Sequence, residues 1–103
     1  MWCHMSKKVY NEVINALKHA GASMRCKQVT ALLKELDFEV RGGNKGGHKV
    51  YTHQYIQSFT SGSYNCEHGK NPEIKRPYIK KIIKVLEKYE QELVKYLENK
   101  NEN

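Results

Sequence analysis

The sequence predicts an α+β fold in which a helix, a three-stranded antiparallel meander and a second helix follow one extra N-terminal helix. Three observations predict it. Apolar residues recur at helical spacing as far as Leu36, alternation between glycine-rich turns takes over from Phe38 to Glu67, and helical spacing returns after Pro77. The chain reads as one domain over residues 1–103, with a helical extension at 1–22 and a core at 23–98 in which the sheet packs on helices.

Ser6 is placed to cap the first helix, where Val9, Val13, Ile14 and Leu17 share a face and Gly21 ends the run after Lys18 and His19. Ser23 then restarts a helix whose stripe is Met24, Val29, Leu32, Leu33 and Leu36, closing at Asp37. Phe38-Glu39-Val40-Arg41 alternates as a first strand, and Gly42-Gly43-Asn44-Lys45-Gly46-Gly47 is hairpin-type turn chemistry. His48 to Ile56 supplies the β-branched and aromatic residues of a second strand; Ser58 to Gly62 turns, and Ser63 to Glu67 makes a shorter third. After the loop His68 to Pro72, Pro77 opens a helix in which Ile79, Ile82, Ile83, Leu86, Leu93 and Leu97 fall on one side. That spacing predicts a single helix of about 20 residues, roughly 30 Å long. Its charged second half, Glu87 to Lys100, reads as a solvated overhang or a partner contact.

The net charge of +7 is concentrated in the middle: residues 1–37 carry +3, residues 38–84 carry +6 and residues 85–103 carry −2. His48, His53 and His68 lie in that basic stretch, where a phosphate-rich partner would meet charge and titratable rings together. The plainer alternative is a solvated basic face. Three cysteines, Cys3, Cys26 and Cys66, form no framework spacing, and no apolar leader precedes them, which points to a reducing cytoplasm. No stretch approaches the roughly 20 apolar residues of a membrane span. With no CxxC or HxxxH, no metal or other cofactor is expected.

Three motifs stand in order between Arg25 and Tyr89: Val29-Thr30-Ala31-Leu32-Leu33 running to Phe38, Gly46-Gly47-His48-Lys49-Val50-Tyr51, and His68-Gly69-Lys70 followed by Lys75-Arg76-Pro77-Tyr78-Ile79. Together they resemble the HicA toxin family, and the order helix, strand, strand, strand, helix is the topology of double-stranded-RNA-binding domains. The resemblance implies a type II toxin-antitoxin system, with a ribosome-independent mRNA interferase held inactive by a HicB-like antitoxin. It makes His48 the catalytic residue. Two positions depart from the family pattern: Asp37 stands for a glycine, and Gly47 for a serine.

Cutting RNA without a metal requires a base for the 2′-hydroxyl proton, an acid for the leaving 5′-oxygen, and positive charge beside the phosphorus. His48 is the candidate base and His68 the candidate acid. Lys45, Gly46, Gly47, Lys49, Lys70, Lys75 and Arg76 are the candidate RNA-binding residues, with the helix start at Pro77 adding N–H groups that favour anions. His53, five residues beyond His48, falls on the opposite side of the strand and reads as structural or solvent-exposed. Lys80, Lys81 and Lys84 read as a solvated helix face, and Tyr51, Tyr55, Tyr64 and Tyr78 as packing partners or base-stacking platforms. Two alternatives stand beside the nuclease: a non-catalytic RNA-binding module of the same fold, and an interaction protein whose long C-terminal helix forms a homo-oligomer or meets a partner.

Overall fold

Helical and alternating stretches sort as their periodicity requires, and the departures occur where pairing is distant in sequence. The computed structural model describes residues 2–42, 46–67 and 69–102, and the side chains of 7–42, 46–67 and 69–100 among them. Helix α1 spans Trp2–Lys18 and places Tyr10, Val13, Ile14 and Leu17 in the core. It starts upstream of Ser6, because no proline or glycine interrupts the run before that serine. Gly21, at φ 74°, ends the segment in the left-handed region that glycine enters freely.

Ser23 does not restart a helix. Strand β1, Ser23–Arg25, pairs antiparallel with β5, Glu73–Lys75, so that Met24 faces Ile74 across a two-stranded ribbon. The Ser23 hydroxyl donates to Glu73 at 2.7 Å. The second helix, α2, therefore begins at Cys26 and runs to Glu35, burying Cys26, Val29 and Leu33. Its Cys26 N–H donates to the Pro72 carbonyl, which ties the helix start to the loop before β5. Asp37 follows at φ 66°, a left-handed position that glycine enters without strain. Its carboxylate accepts from Tyr96 at 2.7 Å and from Lys100 at 2.6 Å, contacts a glycine could not make.

The three-stranded antiparallel sheet has the expected order, β2 (Glu39–Gly42), β3 (His48–Thr52) and β4 (Gly62–Asn65), with β3 in the middle. The registers set Arg41 opposite Val50, and His48 opposite Asn65. Strand β3 stops at Thr52 rather than Ile56, because the His53 ring turns inward and captures the chain. Its Nε2 donates to the Leu36 carbonyl at 2.9 Å, and its Nδ1 accepts from the Tyr55 N–H at 3.2 Å. Phe38, Tyr51, Phe59 and Tyr64 form the aromatic floor that the sheet lays on the helices.

The C-terminal helix is not continuous. Helix α3, Arg76–Lys88, begins with Pro77 in its first turn as expected, breaks at Tyr89, and is followed by α4, Glu90–Glu102, which lies along α1. The break leaves the last-turn carbonyl of Leu86 open, and the buried Tyr10 hydroxyl of α1 donates to it at 2.9 Å. Leu86, Leu93 and Leu97 are buried within the chain. The expected overhang is thus a packed element, and the residues proposed for a homo-oligomer contact are already covered by α1.

The cysteines also depart from the expectation of free thiols: Cys26 and Cys66 are joined by a disulfide, with their Cα atoms 5.8 Å apart. The absence of pairing, which pointed to a reducing compartment, therefore no longer holds. Among the described residues no helix is long and apolar enough to cross a membrane.

Candidate nucleic-acid interface

Residues at the open end of the sheet are sorted by the pleat onto two faces. Tyr51 and Tyr64 point into the core, so Lys49 shares their face, whereas His48, Val50, Ser63 and Asn65 point outward. His48 and Lys49, adjacent in sequence and both expected at the site, consequently project in opposite directions.

On the outward face the His48 ring is half-buried, and its Nδ1 lies 2.8 Å from Asn65 Oδ1. The same amide donates through Nδ2 to the Tyr78 hydroxyl at 3.0 Å, and the Lys81 ammonium stands 5.8 Å from the centre of the Tyr78 ring. A chain of contacts thus joins β3 and β4 to the first turn of α3. With Oδ1 as its acceptor, Nδ1 is the donor of this bond. Among the described residues Nε2 has no hydrogen-bond partner. Arg41, facing Val50 from β2, is the diagonal neighbour of His48 on this surface, a relation in which Cα atoms lie about 7–8 Å apart. Its guanidinium is strongly exposed and only loosely held by Glu39 at 3.7 Å.

On the other face Lys49 lines a groove of about 520 Å³ together with Cys26, Lys27, Thr30, Gly46, Gly47 and Glu67. Gly47 serves a backbone contact: its carbonyl accepts the Cys66 N–H at 2.7 Å, and a Cβ at this position would run into the Cys66 carbonyl oxygen. A serine does not fit here without a shift of β4.

The remaining expected residues divide. Lys70 is exposed on the loop beside Gly69, and Lys75 pairs with Glu67 at 3.3 Å. Arg76 is turned to structural use, since Nη1 donates to the Gly21 carbonyl at 2.6 Å while its N–H reaches that of Ala22. Lys45 and His68 lie outside the described residues. His53 is buried in its neutral form: burial pushes its pKa down, against the opposing pull of the Leu36 carbonyl and Asp37. Tyr51 and Tyr64 are core residues whose burial raises their pKa values, that of Tyr51 to about 12, so neither can stack on a base. Tyr55 is exposed and stacks on Tyr96 at 5.1 Å, away from His48.

Sequence reasoning missed Asn65 and Arg41. Strand alternation places both on the face opposite Tyr51 and Tyr64, and that was the available signal. Comparison with family models, curated proteins and solved structures finds no match for the chain, so the site is read from its own geometry.

Proposed function

We propose that this protein is a HicA-like endoribonuclease with a double-stranded-RNA-binding-type core, acting on mRNA in the cytoplasm without a metal and neutralised by a HicB-like antitoxin. The observation that carries this reading is the half-buried His48 ring, held through Nδ1 by Asn65 with Nε2 left as a proton acceptor. In the proposed reaction Nε2 takes the 2′-hydroxyl proton, the 2′-oxygen attacks phosphorus, and the P–O5′ bond breaks. A 2′,3′-cyclic phosphate and a 5′-hydroxyl result, the latter protonated by the acid, the role that sequence reasoning assigns to His68. Arg41, on the same face, supplies positive charge that Lys49 cannot.

The test is purified protein with end-labelled RNA in excess chelator, comparing wild type with His48→Ala. Cleavage that persists in chelator and falls at least a hundredfold in the variant supports the proposal, in the range by which a positioned proton acceptor accelerates such chemistry, roughly 10²–10⁴. Equal cleavage by both proteins, or none by wild type, overturns it.

A second reading, an RNA-binding module without cleavage, is favoured by the separation of the expected cations. Lys49 faces the groove, Lys75 meets Glu67, and Arg76 is spent on the backbone of Gly21. On that reading His48→Ala leaves RNA affinity nearly unchanged, whereas charge reversal at Lys27 and Lys49 weakens it.

A further inference from the structure

We infer that Asn65, hydrogen-bonded to Tyr78, is a positioning residue for His48 and that its Oδ1 fixes which ring nitrogen faces a ribose hydroxyl. The catalytic consequence rests on the nuclease reading, but the geometry does not. An isolated imidazole favours the proton on Nε2, the form that cannot act as a base through that atom. Asn65 reverses the preference by offering Oδ1 to Nδ1 at 2.8 Å, which requires a proton on Nδ1. The amide would lose this effect if it turned over and presented its NH2 group. Nδ2 donates to the Tyr78 hydroxyl at 3.0 Å, which ties the amide to α3, where Ile79 and Ile82 are fully buried.

The oxygen acceptor has a second effect. When Nε2 gains a proton both ring nitrogens become donors, and Oδ1 is the correct partner for Nδ1 before and after. No side chain has to reorient during proton transfer, so the site is prepared for both states. The exposed strand position of Asn65 contributes little to the core, and its replacement leaves Tyr64 and Cys66 in place.

The experiment is long-range ¹H–¹⁵N correlation of the imidazole rings in uniformly labelled protein without RNA, at alkaline pH. Wild type is expected to show a protonated Nδ1 and a bare Nε2 for His48; Asn65→Ala is expected to move the proton largely to Nε2. A wild-type ring protonated on Nε2, or a tautomer unmoved by Asn65→Ala in a folded variant, overturns the inference. Should Asn65→Ala fail to fold, Asn65→Ser and the wild-type spectrum decide between the same two outcomes. In the cleavage assay Asn65→Ala is expected to lower the rate roughly ten- to a hundredfold at unchanged RNA affinity, the scale of losing a histidine's outer hydrogen-bond partner. If the tautomer behaves as stated and no RNA is cut, the positioning stands and the nuclease reading fails.

Discussion

At position 47 the Cys66 carbonyl oxygen occupies the space that a Cβ would need, so Gly47→Ser forces the β3 and β4 ends apart. The expected cost is about 1–3 kcal/mol, as for other overpacked sites, measured by urea unfolding. His53 gives a second prediction. Its pKa in the folded protein lies below the ordinary 6.5, so the unfolded chain binds more protons as pH falls through that value. Stability is therefore full above about pH 7 and declines on acidification toward the depressed folded pKa. A melting temperature that did not fall between pH 7.5 and 5.5 in wild type, or that fell equally in a folded His53→Phe variant, would refute this assignment. Asp37 acts in a separate window: partial burial raises its pKa, but bonds from Lys100 and Tyr96 and the nearby charges outweigh it and hold it below 3.8. Its contribution is lost only as pH falls below that ordinary value. That residue 53 lies on the opposite side from His48 was legible from alternation; its inward hydrogen bonds were not, because they depend on where Leu36 ends α2.

Among the elements, those built on local periodicity were legible and those built on distant pairing were not. The stripe Val29, Leu33 and Leu36 and the Pro77 helix start sit within a few residues of the signals that define them. The β1–β5 ribbon is three residues on each side, drawn from stretches about fifty positions apart, too short for alternation to register. The break at Tyr89 is equally silent, because Leu86, Leu93 and Leu97 keep helical spacing across it while the chain folds back on α1. That packing makes α4 part of the core. Leu93→Ala is expected to destabilise by about 2–5 kcal/mol in denaturant titration, the range for buried leucines. The disulfide joins the start of α2 to the end of β4 across 40 residues, and the chain-entropy relation puts its contribution at about 4 kcal/mol. Thermal unfolding with and without a strong thiol reductant measures that contribution, and no change in melting temperature would refute it.

For the molecule as a whole, +7 net charge predicts that any RNA affinity falls steeply with salt, because each neutralised phosphate releases about 0.9 counterion on duplex and about 0.7 on single strands. A flat response between 50 and 200 mM salt would argue against nucleic acid as the partner. The overall distribution of charge was legible from sequence; its division between two faces was not, because only the strand register shows that Arg41 lies with His48 and Lys49 with Lys27. That division limits the shape of a substrate. A polynucleotide touching the imidazole on one face and Lys27 and Lys49 on the other would have to pass around the sheet, a bend that a stiff duplex resists. Competition binding of hairpins against perfectly paired helices of equal length tests that consequence, and equal affinity would refute it.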